Sequence, residues 1–312
     1  MKKDLHELPK LRDSVSFIYV EHAVIEQKDA SIMLVQSEGK TPIPISSVTC
    51  LLLGPGTRIT HAAVSVIAEN GCMVIWCGEN VGQFYASGLG ETQSASNLLL
   101  QARLCMDQDL HMAVVRKMYE CRFPTIDLSE YTLQQLRGME GIRVKQIYKT
   151  ESKRTGVSWN ARKYKTISWE DSDDINKAIS YANTILYGIC HAAIVTLGFS
   201  PGLGFIHTGK MRSFVYDIAD LYKADITIPA AFDVVSQSPV DLYGALRREC
   251  HKRIRQMRLL QRIPEDISRI FSVSKTIEQE EALSTGELWN QNDTVSGGMN
   301  HSRVVEDDRN YN

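Results

Sequence analysis

The sequence lacks an excess of either charge, and it lacks a phosphate-binding loop. Its 312 residues include 35 lysines and arginines and 37 aspartates and glutamates, which give a formal net charge of -2. The average field of the protein therefore does not attract nucleic acid, so any nucleic-acid surface must be a local cluster of basic side chains. No segment matches the pattern G-x-x-x-x-G-K-[ST], which excludes that motif for binding a nucleoside triphosphate.

Metal-binding cysteine pairs and membrane-spanning runs are also missing. The seven cysteines are scattered through apolar segments, as in reduced, buried thiols, and the spacing of Cys72 and Cys77 does not match a zinc site. Residues 1–6 lack the apolar core of a signal peptide, and no uninterrupted apolar run approaches the roughly 18 residues of a membrane span. We therefore expect a soluble, cytoplasmic protein.

The pattern of residue types changes near residue 90. Before it, short segments rich in β-branched and aromatic residues predict strands at 14–20, 31–36, 41–45, 48–53, 72–76 and 83–87. One helix is predicted over 61–69, with Thr60 as its N-cap. After a Gly/Ser-rich joint, apolar residues recur at helical spacing. They predict helices over 97–122, 133–148, 214–222 and 246–263, and one from the cap Asp174 to Leu197.

The predicted fold class is therefore α+β with two domains. A small N-terminal β domain takes residues 1–88, a linker 89–96, and a larger all-α catalytic domain residues 97–284. From about Thr285 onward, polar and acidic residues dominate, which predicts that the tail, 285–312, is disordered in isolation. Trp289 is the exception within this tail and could anchor it to a partner.

Metal-ligating residue types are concentrated between residues 204 and 220. His207 and Lys210 lie in a glycine-containing loop, and Asp217 and Asp220 stand three positions apart, roughly 60° around a helix axis and on one face. Imidazole nitrogen and carboxylate oxygens suit Mg²⁺ or Mn²⁺, which keep positions for water or phosphate. The segment favours a metal-dependent phosphodiester site, although aspartates on a helix are more often simply solvated.

Glu140 is a third candidate carboxylate. It lies at helical spacing within an apolar stripe, where an unpaired carboxylate is costly and is normally protonated, ion-paired or bound to a cation. Arg137 and Arg143 are near enough in sequence to supply a purely structural ion pair. The stripe consists of Leu136, Val144 and Ile147.

Two basic segments are candidate nucleic-acid surfaces. Residues 158–169 interleave basic and aromatic residues, which can stack bases and hold phosphates, but loops of this kind also plug cores with tryptophan. The predicted helix 246–263 carries a basic stripe, which suits a phosphate backbone, a membrane surface or simply solvent. The stripe consists of Arg247, His251, Arg255, Arg258 and Arg262.

Four motifs follow one another along the chain: LRGMEGIR at 136–143, LYG at 186–188, GFIHTGK at 204–210 and FVYDIAD at 214–220. Together they resemble CRISPR-associated protein one, the integrase of spacer acquisition, and the resemblance extends from about Ser14 to Ile270. Residues 55–58, 61–63 and 84–88 resemble its type I-E branch. The sequence departs from close relatives at His22, Ser65 and Gln83, where those often carry Tyr, Arg and Arg.

The resemblance implies partners and site residues. It implies a homodimer, a small ferredoxin-like CRISPR-associated subunit, and DNA in the form of a short duplex with 3′ ends and a CRISPR leader-repeat. A divalent metal, Mg²⁺ or Mn²⁺, would be held by Glu140, His207 and Asp220, with Asp217 beside them as a fourth catalytic residue. DNA contacts are implied for Tyr164, Trp169, Tyr187, Lys210, Arg58, Lys223, Arg247 and Arg248.

The reaction so implied is a transesterification. The 3′-hydroxyl of a short foreign duplex attacks a phosphodiester at the edge of a repeat, which inserts the duplex into the CRISPR array. Two other interpretations stay open: a metal-dependent hydrolase of small phosphoesters, and a noncatalytic DNA-binding scaffold. Dependence of activity on duplex length would exclude the first alternative, and metal-dependent activity would exclude the second.

Overall fold

The computed structural model describes residues 17–29, 31–48, 50–79, 83–88, 95–161, 173–273, 287–290 and 293–296. Met1–Val273 belong to one compact unit and Ser274–Asn312 to a second. In the first unit, strands come first and helices follow, as predicted for an α+β fold. The predicted domain boundaries at residues 88 and 96 stay predictions.

In the described part of the N-terminal region, the chain forms eight strands, one α-helix and a short 3-10 helix at Ile45–Ser47. The strands are β1 (Phe17–Val20), β2 (Val24–Lys28), β3 (Ser31–Gln36), β4 (Gly39–Ile43), β5 (Cys50–Leu53), β6 (Arg58–Ile59), β7 (Met73–Cys77) and β8 (Phe84–Gly88). They pair in two four-stranded sheets, with orders β1-β5-β7-β8 and β4-β3-β2-β6. In the first sheet, β1, β5 and β7 run parallel and β8 antiparallel.

The helix α1 (His61–Glu69) confirms its prediction. The Thr60 hydroxyl accepts a hydrogen bond from the Ala63 N–H at 3.2 Å, which caps the helix. Sequence missed β2 and β6. After Ile25, β2 is exposed and polar, and β6 is only two residues long, so neither shows the alternation of a half-buried strand.

In the rest of the first unit, the described residues contain eight helices. They are α2 (Ser96–Met106), α3 (Gln108–Glu120), α4 (Leu133–Thr155), α5 (Asp174–Thr196), α6 (Ser213–Ala219), α7 (Thr227–Ser236), α8 (Leu242–Gln256) and α9 (Leu259–Phe271). The prediction of one helix over 97–122 is wrong. Asp107 is extended, and its carboxylate caps α3 by accepting from the Asp109 and Leu110 N–H groups, each at 3.0 Å.

The prediction of one helix over 246–263 is also wrong. Arg258 adopts a left-handed conformation, with φ 49°, and separates α8 from α9, so the basic stripe is not one helix face. Sequence placed the end of α4 too early, since the helix continues to Thr155 and stops at Gly156, whose φ of 77° suits glycine. The cap of α5 is Asp173 rather than Asp174, because Asp173 is extended and accepts from the Asn176 N–H.

Helix α5 is the centre of the helical region. Its length and composition alone would allow it to cross a membrane, but 67% of its most apolar window is buried inside the protein, as in the core helix of a soluble fold. It contacts α6, α7, α8 and α9. It also contacts the first sheet, where the His191 and Phe84 rings stack at 3.7 Å and the Thr196 hydroxyl lies 3.3 Å from the Met73 sulfur.

The second unit contains a short hairpin. Strands β9 (Glu287–Asn290) and β10 (Asp293–Ser296) pair antiparallel, with Trp289 opposite Thr294. This pairing departs from a wholly disordered tail, because β-branched and aromatic residues favour strands even in a polar segment. Disorder elsewhere in the tail stays a prediction.

Candidate active site

Asp217 organises the loop that carries His207. Its side chain is fully buried, and its two oxygens accept hydrogen bonds from the backbone N–H groups of Phe205 (2.6 Å), Ile206 (3.1 Å) and His207 (2.9 Å). The neighbouring glycine is required by close approach, since a Cβ on Gly204 would overlap the His207 carbonyl oxygen. The sequence predicted that Asp217 and Asp220 share one face of the helix. This prediction is wrong for Asp217, because its buried carboxylate binds the backbone of the loop instead.

The same carboxylate fixes the orientation of the His207 ring. Nδ1 of His207 lies 2.7 Å from Oδ1 of Asp217, so a neutral ring donates from Nδ1 and keeps its lone pair on Nε2. That nitrogen lies 4.0 Å from Oδ2 of Asp220, at the end of α6. The His207 side chain is 42% exposed, so Nε2 is presented at a surface that a substrate can reach.

Glu140 reaches the same region from α4. It forms an ion pair with Arg143 at 2.9 Å and a longer one with Arg122 at 3.5 Å, and its side chain is 18% exposed. Of the three states left open for this carboxylate, the structure shows the ion pair, and Arg143 supplies it. Arg122 was missed, because no local sequence pattern links it to a residue eighteen positions further along the chain.

A cavity of about 370 Å³ brings Glu140 and Asp220 together. It is bounded by α4, α5, the segment between α6 and α7 and the start of α7, and it combines two carboxylates with two cations and two tyrosines. Sequence reasoning missed Ser180 and Asn183 on its wall. The lining residues are Glu140, Arg143, Val144, Ile147, Tyr148, Ser180, Asn183, Tyr187, Asp220, Lys223, Ala224 and Ile228.

Lys223 places a cation beside Asp220 in the cavity, and Tyr187 lies next to this cation. The Lys223 ammonium forms an ion pair with Asp220 and lies 5.0 Å from the centre of the Tyr187 ring. Burial acts to lower the pKa of Lys223, but the Asp220 charge and Tyr187 outweigh it and hold that pKa above its usual value. Burial raises the pKa of Tyr187, against the opposing charge of Lys223. Lys223 is therefore a cation and Tyr187 a neutral phenol at neutral pH.

The carboxylates of Glu140 and Asp220 and the imidazole of His207 are groups that bind hard divalent cations. They are not yet arranged around one point, as the ligands of a bound metal are. In the part of the chain that the structure describes, no three His, Cys, Asp or Glu side chains form a metal-sized group. The Arg143 and Lys223 cations pair with the carboxylates instead. Oδ1 of Asp220 is the oxygen that contacts the Lys223 ammonium, so a divalent cation at this oxygen would have to displace that ammonium. The residues therefore fit a divalent metal that replaces these internal cations.

The predicted DNA-contacting residues fall in three groups. Tyr187 and Lys223 line the cavity, while Lys210 is exposed in the loop after His207. Arg58 is exposed on β6, Arg248 is exposed on α8, and Arg247 is half-buried and ion-paired with Glu79. Tyr164 and Trp169 lie outside the described residues.

Trp159, in the described part of the segment 158–169, packs against the core. The Trp159 ring stacks on Tyr148 at 4.2 Å and packs against Phe232 at 5.8 Å. For Trp159 the structure therefore supports the alternative in which tryptophan fills a core, rather than the one in which it stacks on bases.

Comparisons with known proteins point to one family. The chain matches the family model described as "CRISPR associated protein Cas1" over residues 17–128 and 126–243. "CRISPR-associated endonuclease Cas1 2" of Thermus thermophilus is 47% identical over 302 residues, which cover 95% of this chain and 93% of that protein. "CRISPR-associated endonuclease Cas1" of a Clostridium species is 41% identical over 305 residues, which cover 96% and 100%. A solved structure of a TtCas1–DNA complex has a TM-score of 0.78 at 50% identity, covering 85% of this chain and 99% of that one.

Proposed function

The chain belongs to the CRISPR-associated Cas1 family, and from this premise we propose that it is a metal-dependent DNA integrase and endonuclease. It inserts short foreign duplexes into a CRISPR array during adaptation, by attack of a DNA 3′-hydroxyl on a phosphodiester. The observation that carries this proposal is that Glu140 and Asp220 converge on one cavity, with Nε2 of His207 beside Asp220.

Asp217, His207 and Lys223 have separate roles in this proposal. Asp217 binds Nδ1 of His207 and so leaves Nε2 as the basic nitrogen that faces Asp220. Nε2 either ligates the metal or accepts the proton of the attacking 3′-hydroxyl, and both roles are open to it. Lys223 and Tyr187 line the cavity wall, where an ammonium and a phenol can contact a phosphate oxygen.

The bond changes balance without a nucleoside triphosphate. A new P–O bond forms to the attacking 3′-oxygen, and the bond to the original 3′-oxygen of the repeat breaks. The proton lost by the attacking hydroxyl passes to Nε2 or to water, and the leaving oxygen takes up a proton. A divalent metal held by Glu140, His207 and Asp220 would polarise the phosphate and stabilise the leaving oxygen.

The wider assembly is also part of the proposal. The relative solved with DNA supports a DNA partner. We further propose a homodimer that works with a small ferredoxin-like CRISPR-associated subunit, and membership of the type I-E branch. The homodimer, the small subunit and the branch membership rest on the motif resemblance. So do the DNA contacts of Tyr164 and Trp169 and the choice of Mg²⁺ or Mn²⁺ as the metal.

Strand transfer into a plasmid tests the function. The full-length protein, with and without the proposed small ferredoxin-like subunit, is incubated with a fluorescent duplex, a supercoiled repeat plasmid and Mn²⁺ or Mg²⁺. We expect label to enter the plasmid only with metal, and only from duplexes long enough to span the protein. Cleavage of a small phosphodiester with no dependence on duplex length would instead identify a small-molecule hydrolase.

Single substitutions connect the function to the cavity. We expect Glu140→Ala, His207→Ala and Asp220→Ala each to abolish strand transfer while DNA affinity changes little, because most affinity comes from phosphate contacts elsewhere. Lys252→Ala, on the exposed side of α8, is the matched control and should retain activity. Wild-type rates in the first three variants would remove the site assignment.

A further inference from the structure

Helix α2 holds the segment that leads from α5 to His207. Gln101 is completely buried, and its amide nitrogen donates hydrogen bonds to the carbonyl oxygens of Ser200 (3.0 Å) and Leu203 (2.8 Å). Its amide oxygen accepts from the Ser200 N–H at 2.7 Å. One buried side chain therefore satisfies three backbone groups in a segment about a hundred positions away, and losing it would leave them unpaired.

His111, in the first turn of α3, holds the next part of the same segment. Its Nε2 lies 2.9 Å from the carbonyl oxygen of Phe205, and its Nδ1 lies 3.0 Å from that of Cys105. The His111 ring also meets the Phe205 ring edge to face at 5.3 Å. A neutral imidazole donates to one of these carbonyls and an imidazolium to both.

The loop backbone is thus bound on two sides. Carbonyl groups of Leu203, Gly204 and Phe205 point to α2 and α3, where Gln101, Cys105 and His111 contact them. The N–H groups of Phe205, Ile206 and His207 point the other way, to the buried carboxylate of Asp217. These two sets of contacts restrict the conformation of the loop backbone, and His207 is the last residue of the restricted segment.

We propose that Gln101 and His111 are positioning residues for the reaction: they fix the carbonyl side of the 200–205 loop so that His207 keeps Nδ1 on Asp217 and Nε2 toward Asp220. This inference rests on the proposed function for its activity readout. It assigns to the α2–α3 pair a role that the four active-site motifs do not contain. Neither residue touches the reacting atoms, so both act through His207.

Two substitutions of His111 separate positioning from ordinary stability. The Gln amide nitrogen occupies nearly the place of the imidazole Nε2, so His111→Gln keeps the contact to Phe205 and loses that to Cys105. The Asn amide nitrogen corresponds to Nδ1, so His111→Asn does the reverse. Each variant loses one of the two imidazole–carbonyl contacts, and a purely structural role would lower the unfolding midpoint and the activity of both variants to a similar extent.

We expect His111→Asn to lower the strand-transfer rate at saturating DNA by about 10- to 100-fold, in the range found for outer-shell partners, and His111→Gln to stay close to wild type. DNA affinity should be the same in both. Gln101→Glu is a second, isosteric variant that keeps the acceptor for Ser200 and loses both donated bonds. It should lower the rate as His111→Asn does.

Ring ¹⁵N NMR of the full-length protein gives a readout independent of activity. The His207 signals, assigned by their loss in His207→Gln, should show the Nδ1–H tautomer in wild type and in His111→Gln. They should show a mixture of tautomers in His111→Asn and Gln101→Glu. Equal rates and equal His207 spectra in the two His111 variants would overturn the inference. If His207→Ala itself retains strand transfer, the proposed function fails instead, and the NMR comparison alone decides the positioning role.

Discussion

Oδ1 of Asp217 accepts a hydrogen bond from Nδ1 of His207 at 2.7 Å, across ten positions of sequence and from a fully buried side chain. The same carboxylate accepts three backbone N–H groups from the loop. A buried carboxylate is costly unless it is satisfied in this way, so the loop and the acid stabilise each other. The two aspartates of the FVYDIAD motif therefore differ in role: Asp217 positions His207, and Asp220 faces the cavity.

This difference in role predicts different effects for two matched substitutions. Asp217→Asn replaces one acceptor oxygen by an NH₂ group that faces N–H donors, so it should lower the free energy of unfolding by about 2 kcal/mol and also abolish strand transfer. Asp220→Asn should also abolish strand transfer, and it should weaken the ion pair with Lys223, but it leaves the loop N–H groups and the His207 ring bound to Asp217. Urea unfolding and the plasmid assay measure the two effects, and an active, fully stable Asp217→Asn protein would contradict the role given to this residue.

The sequence supplied candidate site residues, but it did not supply their arrangement. Glu140, His207 and Asp220 were found from residue type and motif, and the structure brings Glu140 and Asp220 to one cavity. The pattern did not show that Asp217 is buried, because spacing on a helix gives an angle but not which side faces the loop. Nor did it show Arg122, Gln101 or His111, whose contacts join segments far apart in sequence and leave no local signal.

The same limit explains the errors in the fold. Strands and helices with a strong local period, such as α1 and β3, were predicted at their observed bounds. Helices 97–122 and 246–263 were predicted as continuous because their apolar residues keep a helical period on both sides of a break. At Asp107 the break is a cap, and at Arg258 it is a left-handed residue, which few sequences signal without glycine.

Two glycines inside α4 should make this helix less stable than alanines would, and no close packing requires a glycine at either position. Gly138 and Gly141 lie inside the helix, and a Cβ added to either meets no atom within 4 Å. Gly138→Ala and Gly141→Ala should each raise the free energy of unfolding by about 0.5–1 kcal/mol, since glycine is that much worse than alanine in a helix interior. Gly204→Ala is the contrasting control and should destabilise. A stabilising Gly204→Ala, or destabilising α4 variants, in thermal unfolding would refute the prediction.

The buried His191 should make stability depend on pH. Burial, with a smaller effect of the Arg212 charge, lowers the pKa of His191 from 6.5 to about 4. The unfolded state binds this proton more readily than the folded state does. The contribution of neutral His191 to the free energy of unfolding is therefore fully present above about pH 6.5 and is lost, by up to about 3 kcal/mol, as the pH falls toward 4. His191→Gln should flatten the unfolding free energy over this interval. An unchanged pH profile in that variant would show that other groups control the acid loss.

The salt dependence of DNA binding should separate the two arginines of α8. The pattern alone suggests that removing both makes the slope of log affinity against log salt shallower by roughly two. Arg247 is ion-paired with Glu79, whereas Arg248 is exposed, so Arg248→Ala should change the slope by about one and Arg247→Ala by less. Lys117→Ala, on the exposed side of α3, is the control. Equal, unchanged slopes in all three would mean that α8 does not contact DNA.

Lys223 should behave as an internal substitute for the metal. Its ammonium is paired with Asp220 in a cavity shared with Glu140, where a divalent cation would also be attracted. Lys223→Met keeps the length of the side chain but leaves Asp220 without its cation, so in EDTA the free energy of unfolding should fall by about 3 kcal/mol or somewhat less, given partial exposure. Saturating Mn²⁺ should restore much of that loss, because a ligand that binds only the folded state stabilises it.

The matched comparison is Lys252→Met, whose partner Glu249 is 3.5 Å away and whose side chain is 61% exposed. It should have almost no effect on stability in either condition, as is usual for surface ion pairs. Mn²⁺ titration should also show tighter binding to Lys223→Met than to wild type, since the ammonium no longer competes for Asp220. An equal loss of stability in EDTA and in Mn²⁺ would place the metal away from Asp220, and with it the reaction that we assign to this cavity.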